Sequence, residues 1–153
     1  MRKIKFRVWC EFEIEGKLIK EMAGPESWFL LEQNGGLMAH DPASGFLPNI
    51  AKRHKKLIPM LWTSLLDRQG KEIYEGDIVK WDDRSGGKYW RIAKVIFEKG
   101  MFGFEIIKAI PVDSCDVGYK FIGNFSYQDS TEIDLEIIGN IYENPELLEE
   151  KPK

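Results

Sequence analysis

The fold of this chain is decided by the stretch Gly70-Lys71-Glu72-Ile73-Tyr74-Glu75-Gly76-Asp77-Ile78-Val79-Lys80-Trp81. A turn signal, Asp67-Arg68-Gln69-Gly70, opens this stretch, and a second one, Glu75-Gly76-Asp77, lies in its middle. The residues after the second turn are apolar and compatible with a strand. The chain beyond residue 81 repeats this arrangement of short apolar runs and turns, which predicts a series of β hairpins.

The second turn carries its own chemistry. Gly76 is the third of four residues in Tyr74-Glu75-Gly76-Asp77, and a type II turn needs a positive φ there, which glycine adopts without strain. Asp77 can accept hydrogen bonds from nearby backbone N–H groups at the start of the strand. We therefore expect both residues to act in folding and to direct three apolar side chains toward the protein interior: Ile78, Val79 and Trp81.

Several other stretches have the period of strands. Residues 3–9 place Ile4, Phe6 and Val8 on one face and basic residues on the other, which predicts a half-buried strand with a solvated basic face. The turn Glu15-Gly16-Lys17 would fold the next strand back on it. Residues 89–97 are apolar on both faces, which predicts a central strand or an interface. The turn Glu98-Lys99-Gly100 would join them to a strand over 102–106.

Two other parts of the chain, its C-terminal part and residues 23–48, predict different structures. Residues 133–141 predict a last strand or pair of strands, and residues 144–150 predict a short helix with Asn144 as its N-cap and Pro145 as its first residue. Residues 23–48 are interrupted by Gly and Pro and predict loops, where binding residues most naturally lie.

Length and composition limit the class of protein. A chain of 153 residues with 43% apolar residues can bury a core without disulfides or metals, and its net charge of −3 does not suit binding of nucleic acid through bulk positive charge. Cys10 and Cys115 are far apart, and neither lies at zinc-ligand spacing from His40 or His54. We expect reduced thiols, no metal, no cofactor, no membrane-spanning segment and a cytoplasmic location.

Three groups of residues are candidates for chemistry, each with a structural alternative. The carboxylates could provide an acid pair, but Asp77 at a turn and solvated loop residues explain them as well. The basic run could contact nucleic acid, or form a solvated helix face or loop. The aromatic residues could stack on bases, or pack in a core or interface. The carboxylates are Glu72, Glu75, Asp77, Asp82 and Asp83, the basic residues are Lys52, Arg53, Lys55 and Lys56, and the aromatic residues are Trp81, Tyr89 and Trp90.

Three separated segments carry a resemblance to a known family. Residues 60–79, which contain the central stretch, resemble the signature of the YopX family, whose members are small proteins encoded mostly by bacteriophages and prophages. Residues 1–9 resemble its opening strand, and residues 136–148 resemble its closing motif. The chain departs from the family pattern at three positions, with Ser64 where Gly is usual, Leu61 where Gln is usual and Cys10 where Asp is usual.

The resemblance implies a mainly β protein of hairpins, with an SH3-like small barrel in the C-terminal half and a short C-terminal helix. We predict an N-terminal strand and irregular lead-in over residues 1–59 and the barrel with its closing helix over 60–150, or one continuous domain. The family has no established activity, so no catalytic, cofactor-binding or metal residue carries over. We expect a non-enzymatic accessory binding protein with a protein partner; the alternatives are a nucleic-acid-binding protein and an enzyme that uses the carboxylates near the central turn.

Overall fold

The computed structural model describes residues 5–24, 29–31, 37–41, 45–46, 54–82, 90–110, 120–122 and 135–149. These residues are almost entirely β-strands and turns, so the prediction of a mainly β protein is confirmed. The elements are β1 (Phe6–Ile14), β2 (Lys17–Ala23), β3 (Phe29–Leu31), β4 (Leu37–Asp41), β5 (Gly45–Phe46), β6 (His54–Leu66), β7 (Glu72–Tyr74), β8 (Asp77–Asp82), β9 (Trp90–Glu98), β10 (Met101–Ile110), β11 (Lys120–Ile122), β12 (Glu136–Asn140) and a 3-10 helix (Pro145–Leu148).

The chain divides into two compact units, Met1–Trp62 and Thr63–Lys153. In the first unit, β1 lies between β2 and β6 and is antiparallel to both, and β3, β4 and β5 form a separate three-stranded sheet. In the second unit, the five-stranded antiparallel sheet has the order β11-β10-β9-β8-β12. Whether residues 1–59 and 60–150 are separate domains stays a prediction, because compactness alone does not establish independent folding.

The hairpin of β1 and β2 forms at the predicted turn. Ile14 pairs with Lys17, so Glu15 and Gly16 alone form the loop, with φ values of 51° and 77°. Positive φ at both central residues is the mark of a type I′ turn, whose twist matches that of the strands it joins. The predicted turn is therefore confirmed, with glycine where the positive φ is least costly.

The basic face predicted for the first strand is less solvated than expected. The Lys5 ammonium lies 4.8 Å from the centre of the Trp62 ring, and Trp9, which shares the face of Lys5 and Arg7, is buried. Because β1 has a strand on each side and Trp9 and Cys10 are buried on opposite faces, it is a central strand rather than a half-buried one.

The core of the second unit lies on one face of the five-stranded sheet. β9 is its middle strand, which confirms the central position predicted from its apolar residues on both faces. β9 and β10 are joined at Lys99 and Gly100, with φ values of 53° and 79°, a second two-residue turn of the same type. The buried side chains of this core are Ile73, Val79, Ala93, Val95, Phe104, Ile106 and Leu135.

One of the antiparallel sheets is a half-barrel, in agreement with the small barrel that the resemblance implies. The predicted C-terminal helix is a single 3-10 turn, Pro145–Leu148, with Pro145 at its start. Asn144 occupies the N-cap position but makes no side-chain capping bond. Its side-chain oxygen instead accepts a hydrogen bond from the Asn140 N–H at 3.3 Å.

Ser64 explains one departure from the family pattern. It lies within β6 with φ = 73°, in the left-handed region that favours glycine. The neighbouring Thr63 hydroxyl donates to the Ile73 carbonyl oxygen at 2.8 Å and accepts from the Leu65 N–H at 3.1 Å. These bonds hold the irregular backbone in place around Ser64.

We predict that Ser64→Gly raises the free energy of unfolding by about 0.5 kcal/mol, because relief of left-handed strain exceeds the added flexibility of the unfolded chain. Ser64→Val should lower it by about 1 kcal/mol or more, since a β-branched residue adopts this conformation poorly. Urea melts of the two variants measure both effects. Equal stabilities for the glycine and valine variants would contradict the assigned conformation.

Candidate functional site

The central turn has the predicted geometry. Gly76 has φ = 79°, and Asp77, only 1% exposed, accepts a hydrogen bond from the Tyr74 N–H through Oδ2 at 2.8 Å. The Gly76 N–H donates to the Val95 carbonyl oxygen, and the Gly76 carbonyl oxygen accepts from the Ile141 N–H, each at 2.9 Å. The turn is therefore fastened to β9 on one side and to the segment after β12 on the other.

A second aspartate organises the turn that precedes β7. Asp67 is buried, and its Oδ1 accepts hydrogen bonds from the N–H groups of Gln69 and Lys71, both at 2.8 Å. Its Oδ2 lies 3.5 Å from the N–H of Ile137 in β12, seventy positions along the chain. The Arg68 N–H donates to the Leu135 carbonyl oxygen at 2.9 Å, so this turn also holds the last strand in place.

The electrostatics of Asp67 follow from these bonds. Burial alone would raise the pKa of its carboxyl group, because it disfavours the charged form. The hydrogen bonds from the Lys71, Gln69 and Ile137 N–H groups, together with the charge of Lys71, outweigh burial and lower the pKa below its ordinary value. Asp67 is therefore a bound carboxylate and is not suited to the role of a general acid at neutral pH.

A third buried polar residue, Asn140, lies at the end of β12. The side-chain oxygen of Asn140 accepts hydrogen bonds from the N–H groups of Tyr142 and Glu143, both at 2.9 Å, and its amide nitrogen donates to the Glu143 carboxylate. A Cβ atom at Gly139 would come within 2.6 Å of Asn144 Oδ1 and 2.9 Å of Leu147 Cδ1. The closing motif therefore needs Gly139 for close packing and Asn140 for its turn.

Two of the carboxylates near the central turn are engaged by groups within the protein. Asp77 is buried against the Tyr74 N–H, while Glu72 accepts a hydrogen bond from the Tyr74 hydroxyl at 2.6 Å. The turn role predicted for Asp77 is confirmed; Asp83 lies outside the described residues. Across the part of the chain that the structure describes, no cluster of three His, Cys, Asp or Glu residues could hold a metal ion.

The aromatic candidates pack within the protein. Trp81 lies against the core, with its ring centre 5.5 Å from that of Phe104 in a tilted arrangement. The Lys80 ammonium lies 3.9 Å from the centre of the Trp90 ring, a cation–π contact. Packing, the structural alternative, therefore holds for Trp81, and Tyr89 lies outside the described residues.

The basic candidates lie on a strand. Lys55 and Lys56 are exposed residues of β6, so they are solvated as the structural alternative predicts, but on a strand rather than on a helix or in a loop. Lys55 forms an ion pair with Glu13 of β1, which removes part of the positive charge available to a phosphate backbone. Lys52 and Arg53 lie outside the described residues.

Cys10 is a buried free thiol. Burial, and then the nearby Glu21 carboxylate, raises the pKa of the Cys10 thiol to about 11. The thiolate is the reactive form, so Cys10 is inert at neutral pH. Cys115 lies outside the described residues, and no described helix is long and apolar enough to cross a membrane.

The sequence pattern did not reveal one surface, which we call the apolar tip. It is the end of the β9–β10 hairpin, with Phe97 and Phe102 on one face and Met101, opposite Glu98, on the other. Phe97 and Phe102 are a cross-strand pair with ring centres 4.9 Å apart. Phe97 is 38% exposed and Met101 47% exposed. Phe97 lies on the same face as Ala93 and Val95, which are buried in the core, but it is near the end of the hairpin and is exposed.

Comparison with known proteins agrees with this architecture. A family model described as YopX protein matches residues 5–149. The chain belongs to the YopX family. A crystal structure of protein EF1440 from Enterococcus faecalis has the same fold, with a TM-score of 0.55 and 24% identity over 96% of this chain and 99% of that chain. No curated protein matches the chain.

For this YopX-family chain, we predict that Gly76→Ala lowers the free energy of unfolding by about 1 kcal/mol, because alanine is strained at positive φ. Asp77→Ala should cost about 1–2 kcal/mol by leaving the buried Tyr74 N–H without its acceptor. Urea melts of both variants test the structural role. Two variants that melt like the parent but lose a measured ligand would show that the central turn is a binding site instead.

Proposed function

We propose that this YopX-family chain is a non-enzymatic binding protein, encoded by a phage or prophage, that acts in the cytoplasm of a bacterial host and recognises another protein. The observation that carries the proposal is the apolar tip, a hairpin end that bears large, at least partly exposed apolar side chains on both of its faces. The buried polar groups of the family motif, Asp67, Asp77 and Asn140, are engaged with backbone N–H groups. This supports a scaffold role for the motif rather than a catalytic one.

The charge around the apolar tip favours a particular kind of partner. Glu98 is bound to Lys120 at 2.5 Å, an ion pair that raises the pKa of the lysine. Lys99, at the end of the turn, is exposed and has no ion-pair partner among the described residues. An apolar surface with one available ammonium group is suited to a protein segment that presents an apolar side chain beside an acidic one.

The test is capture of a partner from phage-infected host lysate, followed by titration of the purified partner. We expect the variant Phe97→Ser/Met101→Ser to weaken binding by about tenfold or more, the loss typical of removing central apolar contacts. Leu66→Ser is the matched control, because Leu66 is 55% exposed and lies at the end of β6, away from this hairpin in the sequence. Equal affinity for the parent and the Phe97→Ser/Met101→Ser variant would exclude the apolar tip as the binding surface.

Nucleic-acid binding is the second candidate, and it depends on the basic run. We predict that generic DNA binds with a dissociation constant no lower than about 10 μM at physiological salt. An acidic protein neutralises few DNA phosphates, so its binding releases few counterions from the DNA. Gel shifts at several salt concentrations with single-stranded and duplex DNA measure this. A submicromolar complex that is lost when Lys52, Arg53, Lys55 and Lys56 become alanine would instead establish nucleic acid as the ligand.

A further inference from the structure

β2 is the longest of the outermost strands in the described sheets. β2 is seven residues long, and no described strand pairs with it on the side away from β1. Four of its residues are exposed: Lys17, Leu18, Lys20 and Glu21. An uncovered strand of this length offers unpaired backbone groups to another strand.

The other outermost strands of the described sheets are shorter than β2, although β7 and β11 pair with only part of the longer strands β6 and β10. β7 and β11 have three residues each, and β3 and β5 have three and two. β12 has five residues, and its beginning is covered by the turn at Asp67 and Arg68, whose groups bond Ile137 and Leu135. Among the described residues, the beginning of β12 is therefore covered, whereas the outer edge of β2 has no strand beside it.

We propose that β2 is a dimerisation edge, at which β2 of a second copy pairs antiparallel across a two-fold axis through Ile19. The sheet β6-β1-β2 of one copy then continues into β2-β1-β6 of the other. The direction of the backbone groups and the charges along β2 both support this pairing.

The hairpin register fixes which backbone groups point outward. The residues that flank a two-residue loop exchange hydrogen bonds, and bonded and non-bonded pairs then alternate along an antiparallel pair. Ile14–Lys17 is the flanking pair, so Lys17, Ile19 and Glu21 direct their backbone groups toward β1. Leu18 and Lys20 direct theirs to the open edge. There the backbone groups of Leu18 can bond those of Lys20 in a second copy, and those of Lys20 can bond those of Leu18.

The charges favour the register that has Ile19 at the axis. A two-fold axis perpendicular to the sheet keeps each side chain on its own face, so only residues of equal parity can stand opposite each other. With Ile19 opposite Ile19 of the second copy, Lys17 stands opposite Glu21 twice. Shifting the axis to Lys20 or Glu21 would place like charges opposite each other, which is destabilising.

The side chains beside this joint are apolar. Phe12 of β1 pairs with Ile19 and shares its face, so the two copies would align Phe12, Ile19, Ile19 and Phe12 in one row across four strands. Adjacent apolar side chains of this kind stabilise a sheet. Since two paired strands bury less area than a standard interface, we expect a dissociation constant on the order of 10 μM.

The first experiment is sedimentation equilibrium of the full chain with charge exchanges. Lys17→Glu and Glu21→Lys should each weaken dimerisation by about tenfold, because each sets two like-charge pairs across the axis. The double exchange K17E/E21K should restore it to within about threefold. Lys20→Glu is the matched control, since Lys20 lies on the same strand but opposite Leu18, and it should change the constant by less than about threefold.

The second experiment is hydrogen exchange of the parent chain at low and high concentration, which needs no variant to fold. The N–H groups of Leu18 and Lys20 should gain protection at high concentration, whereas those of Ile19 and Glu21 should be protected at both. A parent chain that stays monomeric at about 300 μM, far above the expected constant, would overturn the proposal. Failure of the double exchange to restore dimerisation, or equal protection along β2 at both concentrations, would also overturn it.

Discussion

Asp67→Ala is expected to lower the free energy of unfolding at neutral pH by about 2–3 kcal/mol, because hydrogen bonds to a charged acceptor are stronger than neutral ones and several are lost together. The side chain holds the N–H groups of Gln69 and Lys71 at 2.8 Å and reaches Ile137 in β12. Its removal should therefore loosen both the turn before β7 and the last strand. Urea melts measure the change, with Gln69→Ala as an exposed control in the same turn.

The same residue predicts a pH dependence. The pKa of Asp67 is lower in the folded chain than its ordinary value. Its contribution is therefore complete above about pH 4, the ordinary pKa of an aspartate, and is lost as the pH falls through the lowered folded-state value. The stability difference between the parent and Asp67→Ala should shrink between pH 7 and pH 2. A difference that is constant across this range would show that the carboxylate charge contributes nothing.

Phe104→Ala is expected to lower the free energy of unfolding by about 3–5 kcal/mol, the cost of truncating a buried aromatic residue. Phe104 is 6% exposed, lies in the core of the five-stranded sheet and packs against Trp81. Thermal and urea melts measure the loss.

Phe97→Ala is the matched control for Phe104→Ala. Phe97 lies on the same face of the β9–β10 hairpin but at its exposed end, so the loss should be below about 1 kcal/mol. If the two variants were equally destabilised, the apolar tip would be part of the core, and the proposed binding surface would be wrong.

The sequence allowed the hairpins to be predicted because their signals are local. Glu15-Gly16 and Lys99-Gly100 are short turns with glycine at a positive φ, and Gly76 follows the same physical rule. β9 could be recognised as a central strand because apolar residues on both faces require cover on both sides. In each case the residues that give the signal are close together in the sequence.

The rest could not be predicted because it depends on contacts distant in sequence. Asp67 looked like a turn residue, and nothing local indicates its bond to Ile137. The side chain of Asn144 matched an N-cap, yet it accepts the Asn140 N–H, and Gly139 gives it the room to do so. Exposure of Phe97 depends on where the core ends, which alternation along one strand does not reveal.

The central claim is that the polar residues of the YopX motif hold the backbone rather than perform chemistry. Residue-resolved hydrogen exchange of Asp77→Ala tests it most directly, because Asp77 accepts the Tyr74 N–H at 2.8 Å. The account predicts that the Tyr74 amide exchanges much faster in the variant and that the urea midpoint falls, while exchange in β1 changes little. Unchanged protection of the Tyr74 amide, together with an unchanged urea midpoint, would contradict the account.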